Sequence, residues 1–100
     1  WLNGSLENNP ACVFTSSSSL HGGNESTLLS MQIPLFHMGM ILLGLPYSLP
    51  QLAATTSGGT PYGASHVSTH KNVNSISDDE KKLCIAQGVR LGEISLKLNK

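Results

Sequence analysis

Residues 11–47 read ACVFTSSSSLHGGNESTLLSMQIPLFHMGMILLGLPY, and the order of textures in this stretch limits the folds open to the chain. An apolar run at residues 11–14 gives way to a small, polar stretch at residues 15–24. A helical segment then runs to about Met38, and a second apolar run covers residues 40–45. The pattern is strand, loop, helix, strand. Both strands read as apolar on both faces, as do strands of a parallel sheet covered by helices. A helical crossover between parallel strands leaves the Ser/Gly loop at the carboxyl end of the first strand, where open α/β sheets bind ligands.

Two such strands make a poor sheet alone, since stable sheets hold about four to six. The sequence has 100 residues and begins with Trp1, not Met. The expectation is a C-terminal part of one domain, with the N-terminal half outside the sequence. Six Lys+Arg balance six Asp+Glu, so there is neither a basic footprint for nucleic acid nor an acidic tail. Cys12 and Cys84 fall in an apolar strand and an apolar helix face, without metal-ligand spacing. They read as buried thiols of a reduced, cytoplasmic compartment, and no basic signal-peptide region is visible. Residues 31–50 carry no Asp, Glu, Lys or Arg, but Pro34, Gly39, Gly44, Pro46 and Pro50 interrupt them. A helix followed by a buried strand explains this better than a membrane span.

Along the chain, residues 1–10 are turn-rich, and Pro10 suits a strand start. Trp1 reads as packed core or as a wall of a site. In the Ser/Gly loop, small residues let backbone approach a ligand, and N–H groups before a helix suit anions or polar ring edges. Asn24 is the expected N-cap, with Glu25 complementing the helix dipole. Leu28, Leu29, Met31, Leu35 and Phe36 form an apolar face, Pro34 bends the helix and Gly39 ends it. By spacing alone His37, in the last turn, is a solvated cap. Asn24-Glu25-Ser26 matches a glycosylation sequon, read as chance.

Residues 47–77 show no periodicity and read as one long functional loop containing SGGTPYGASHVSTH. Tyr62, between Pro61 and Gly63, reads as a rigid turn presenting a ring. His66 and His70 have helical i,i+4 spacing, but their Gly/Ser/Thr surroundings argue against a helix and hence a metal. Ser77 and Glu80 form a capping box, reinforced by Asp78 and Asp79. On that last helix Lys82, Arg90, Glu93 and Lys97 share one narrow arc, while apolar residues with Gly88 and Gly92 spread over most of the rest. So wide a face needs more than one neighbour: the sheet, and either the absent half or another subunit.

No nucleophilic triad, carboxylate pair, Walker loop or cysteine cluster is present. Placement of a cofactor that carries the chemistry fits better than catalysis by side chains. Five segments, in order, point to one family: WLNGSL from Trp1, VFTS from Val13, SLHGGNE from Ser19, HMGM from His37 and GGTPYGAS from Gly58. Together they closely resemble the C-terminal half of the WrbA family, flavodoxin-like NAD(P)H:quinone oxidoreductases that bind FMN. The likeness covers essentially the whole chain.

The resemblance implies the C-terminal portion of a flavodoxin-like α/β sheet: two strands, two main helices and a long loop. It implies FMN-dependent two-electron reduction of quinones by NAD(P)H, and a homotetramer. Ser16, Ser17, Ser18, Ser19, Leu20, His21 and Gly22 would be FMN contacts, His37 another, and Trp1 would line the substrate pocket. Three departures stand out. Met38 replaces a histidine of many members, the Ser/Gly loop is one residue longer than in some, and residues 69–76 differ from the family's usual turn. The family's phosphate-binding loop and second flavin loop lie outside the sequence, so the chain alone is expected to bind FMN weakly. The alternatives are a flavodoxin-type electron carrier, disfavoured by neutral charge and the GGTPYGAS loop, and a truncated non-enzymatic interaction module.

Overall fold

A computed structural model describes residues 4–68 and 75–99. In chain order the elements are β1 (Pro10–Ala11), β2 (Phe14–Ser17), α1 (Asn24–His37), β3 (Ile41–Leu42), α2 (Pro50–Ala54), β4 (Ala64–Val67) and α3 (Asp78–Leu98). β1 pairs in parallel with β3, Pro10 opposite Ile41; β2 pairs in parallel with β4, Phe14 opposite Ala64. The architecture is α/β with parallel pairing, as expected, but the partners are divided differently. The second apolar run pairs only with the first half of the extended segment. The second half pairs with Ala64–Val67, a strand the sequence reading left inside a long loop, where α2 also lies.

Both partners occupy one edge of residues 9–17. The carbonyls of Asn9, Ala11 and Ser17 accept from the N–H groups of Ile41, Leu43 and Ser68. These are alternate residues, so on an extended strand their carbonyls point the same way. The neighbouring strand is therefore one strand in two pieces, interrupted between Leu45 and Gly63. Pro10 begins the segment, where its missing N–H is harmless.

α1 packs against β2 and β3, and α3 against β4 and β1. Leu28 of α1 is fully buried, while Leu45, Leu52, Ala64 and Leu83 form a core cluster joining the interrupted strand, α2 and α3. The N-cap of α1 is Gly23, in the left-handed region at φ 84°, and Asn24 is the first helical residue instead of the expected cap. Pro34 lies within α1, Met38 caps its end and Gly39 follows at φ 78°. α3 has the expected capping box: Ser77 Oγ accepts from Glu80 N, and Glu80 Oε1 from Ser77 N.

The strands are not covered on both faces among the described residues. Phe14 is 75% exposed. It lines a cleft with Cys12, Cys84 and Gly88. Cys84 is exposed, contrary to the buried thiol expected, with its pKa raised by desolvation of the sulfur and then by the Glu80 charge. Ile85, Val89 and Leu96 are exposed on α3, and nothing approaches a Cβ built at Gly88 or Gly92. Among the described residues no helix is long and apolar enough to cross a membrane.

Candidate functional site

β2 runs to Ser17, so Ser16 and Ser17 belong to the strand and the free turn starts at Ser18. Three hydrogen bonds fold that turn: Ser17 Oγ donates to the Ser19 carbonyl at 2.8 Å, Gly22 N to the same carbonyl at 3.1 Å, and Ser68 N to the Ser17 carbonyl at 2.7 Å. A Cβ at Gly22 would stand 2.9 Å from both the Ser17 and Ser19 hydroxyl oxygens, so only glycine fits without a shift. The turn is exposed and lies at the carboxyl end of a parallel strand, as its position in the sequence implied.

Opposite it stands the insertion that interrupts the edge strand. Thr55 Oγ1 donates to the Gly58 carbonyl at 2.7 Å, Thr60 Oγ1 donates to the Gly63 carbonyl at 3.0 Å, and Ser65 Oγ accepts from Gly59 N at 2.8 Å. Tyr62 sits in the tight Thr60–Gly63 turn with its carbonyl accepting from Gln32 Nε2 at 2.8 Å, the rigid turn expected of PYG.

Two buried polar residues of α3 hold this insertion. Glu80, 1% exposed, accepts from Gly58 N at 2.8 Å, Val67 N at 2.9 Å and Ser77 N at 2.8 Å, and contacts His66 Nδ1 at 3.0 Å. Burial pushes its carboxyl pKa up, but the hydrogen bonds from Ser77, Val67, His66 and Gly58 outweigh it and hold the group at about 2. Gln87 lies seven residues on, hence on the same side of the helix. Its Nε2 donates to the Val13 carbonyl at 2.9 Å and its Oε1 accepts from Ala64 N at 2.7 Å. The side-chain amide thus sits at the break and links the returning strand at Ala64 to Val13 of the neighbouring segment. Arg90 Nη1 donates to the Gly44 carbonyl at 2.9 Å, a third tie from α3.

Between the turn and the insertion lies a cavity of about 540 Å³, walled by Leu20, His21 and Asn24 on one side and Leu52, Thr60 and Ser65 on the other. Asn24 is 8% exposed, and its Oδ1 is buried with no hydrogen-bond partner.

The expected site residues are therefore only partly gathered. Ser16 to Gly22 form one continuous edge, with Leu20 and His21 facing the larger cavity and Ser16 a cleft beside Phe14 and His66. His37 is exposed in the last turn of the fourteen-residue α1. At about 1.5 Å per residue it stands about 20 Å along the helix from the turn, so one chain does not bring the two together. Trp1 and His70 lie outside the described residues. Among these residues no cluster of His, Cys, Asp or Glu could hold a metal. Glu80 and Gln87 were missed as a pair. The available signal was an amide between Ala86 and Gly88 inside an apolar arc, seven residues after a carboxylate.

Parallel strands, a helical crossover and a small-residue turn at a strand's carboxyl end define a protein of the α/β class. No protein-family model matches the chain. Along its whole length it is similar to bacterial and archaeal proteins named NAD(P)H dehydrogenase (quinone). One from Syntrophobacter fumaroxidans is 41% identical over 102 residues, covering 100% of this chain and 50% of the relative. One from Acidithiobacillus ferrooxidans is 41% identical over 100 residues, covering 98% and 50%. One from Methanosarcina barkeri is 38% identical over 100 residues, covering 98% and 48%. The chain spans about half the length of the curated relatives it matches.

Proposed function

We propose that the chain is the C-terminal part of a flavodoxin-like NAD(P)H:quinone oxidoreductase. Its similarity, along the whole of this chain, to relatives named NAD(P)H dehydrogenase (quinone) carries this reading. The resemblance to the WrbA family supplies the cofactor, FMN. The turn suits such a group: it is folded on itself by Ser17, has no Cβ at Gly22 and is open to a flat ligand. Ser16 to Gly22 would hold one edge of the flavin, and the insertion carrying Tyr62 would frame the pocket. When bound, FMN supplies two-electron transfer between NAD(P)H and a quinone. No protein side chain need act as a base. The chain's own part is to position the flavin, exclude water on the Leu20 and Leu52 side, and keep the insertion in register through Glu80 and Gln87.

His37 and Trp1 remain proposed contacts of the flavin and the substrate. Because α1 keeps His37 about 20 Å from the turn, a pocket using both draws them from different copies of the chain. This agrees with the homotetramer the resemblance implies. The exposed apolar side of α3, with Gly88 and Gly92, would be covered by the remainder of the same domain. A cytoplasmic location follows from the same reading.

The test is NAD(P)H consumption by the FMN-loaded full-length protein with benzoquinone as acceptor. Turnover with ping-pong kinetics is expected, since both substrates would use one pocket. FMN binding without NAD(P)H consumption would instead identify an electron carrier.

A further inference from the structure

We propose that the outer row of α1 is an interface with a second copy of the chain. The two α1 helices pack antiparallel, so that the partner's His37 stands beside the Ser/Gly turn. The inference deepens the reading above and rests on it only for the role of His37.

Leu29, Ile33 and Phe36, spaced four and three residues apart, form one row along α1. Ile33 is 68% exposed and Phe36 64%. Projected at about 100° per residue, the row is centred about 130° around the helix from buried Asn24 and Leu28. Gln32 lies between the row and that buried face. Its bond to the Tyr62 carbonyl marks this flank of α1 as the one beside the insertion.

The remainder of the domain does not reach this side. Leu43 N and Ser68 N bond inward, to the carbonyls of Ala11 and Ser17. Their neighbours Gly44 and Val67 therefore face outward. Both are already held from α3, the Gly44 carbonyl by Arg90 and the Val67 N–H by Glu80. That edge of the sheet is capped. Among the described residues the opposite edge, at residues 12–16, carries no strand, so the sheet grows past Phe14, on the other flank of α1. A row on the outer side of the helix layer, leaning toward the capped edge, is left for a molecule outside the domain.

Two relationships select a second copy. The row is self-complementary: about a twofold axis midway between Leu29 and Ile33, Leu29 faces the partner's Ile33 and Ser26 faces the partner's Phe36. Ser26 is small, and its Oγ already donates to the Gly23 carbonyl at 3.1 Å, so a phenyl ring leaves it no unmet bond. The four-and-three spacing suits a shallow crossing with axes about 8–10 Å apart. The same twofold sets the partner's His37 level with Glu25, just past the turn that ends at Gly23. One contact thus covers the row and closes the distance of about 20 Å that a single chain leaves between His37 and the turn.

The experiment uses the FMN-loaded full-length protein. Ile33→Glu should halve the mass measured by light scattering and leave the circular dichroism spectrum unchanged, because the side chain is mostly exposed within its own chain. It should lower FMN affinity as far as His37→Ala does, and adding His37→Ala to it should cost nothing more. Disulfides read the orientation. Chains carrying Leu29→Cys, mixed and reassembled with chains carrying Ile33→Cys, should cross-link under mild oxidation. Neither variant should do so alone, because antiparallel helices hold equal positions too far apart for an S–S bond. The wild-type protein sets the background from Cys12 and Cys84. An unchanged mass in Ile33→Glu would overturn the proposal, since something other than a second copy would then cover the row. So would cross-linking of either variant alone, a mixture that forms no link, or a further fall in FMN affinity when His37→Ala is added. NAD(P)H oxidation by the wild-type protein separates the failures. Oxidation together with an unchanged mass in Ile33→Glu counts against this interface alone, whereas no oxidation counts against the oxidoreductase reading.

Discussion

The side-chain amide of Gln87 donates to the backbone carbonyl of Val13 at 2.9 Å, across 74 positions of sequence. With its other atom accepting from Ala64 N, it stands where a strand's own peptide group would. Gln87→Leu removes both bonds and leaves a buried carbonyl and a buried N–H unpaired. At about 1–3 kcal/mol for each of the two orphaned groups, the full-length protein should lose about 2–6 kcal/mol in urea unfolding. A loss under about 0.5 kcal/mol would mean that water or backbone replaces the amide.

Glu80 makes stability depend on pH in one direction. Its carboxyl is held at about 2 in the folded protein against 4.5 in its ordinary state. The stabilisation is therefore complete above about 4.5 and is lost as pH falls toward 2. A shift of that size corresponds to about 3 kcal/mol. Unfolding measured from pH 7 down to pH 3 should show the decline in the wild-type protein. Glu80→Gln should be less stable at pH 7 and lack that part of the slope.

Gly22 is tested by adding one carbon. In Gly22→Ala the new Cβ meets the Ser17 and Ser19 hydroxyls, so these side chains, one of which ties the turn through Ser17 Oγ, must shift. FMN affinity measured by flavin fluorescence should fall about tenfold or more, with Tm changed by only a few degrees, because the turn is exposed. Unaltered affinity would remove the turn from the flavin site.

The length of α1 gives a prediction about assembly. If His37 serves a flavin held by another copy, His37→Ala and Gly22→Ala homo-oligomers should each be impaired. Hybrids formed by mixing and reassembling them should regain part of the activity, because some pockets combine an intact turn with an intact histidine. Mixtures no better than the average of the two parents would show that the two residues do not share a pocket.

Much of the α/β frame was legible because it rests on local signals. Hydrophobic texture marked the two ends of the crossover, Ser77 with Glu80 marked the start of α3, and Gly39 marked the end of α1. What escaped was non-local. Ala64–Val67 is a strand because β2 offers it an edge and Glu80 and Gln87 hold its N–H groups, while its own residues, flanked by glycine and serine, carry little strand signal. Glu80 was legible as a cap, yet its larger role is to bind Gly58 and Val67, which no pattern within α3 announces. For the site, composition and position marked the turn. Asn24 looked like a cap because glycine at φ 84° is a less frequent way to begin a helix.

A break bridged from outside relieves the edge strand of having to be continuous. The returning segment is held from α3 and not by the chain that leads into it: Gln87 ties Ala64 to Val13, and Glu80 holds Val67 N. Apart from the buried Leu52 and the Gly58 N–H that Glu80 holds, residues 46–62 are thus relieved of carrying the ladder.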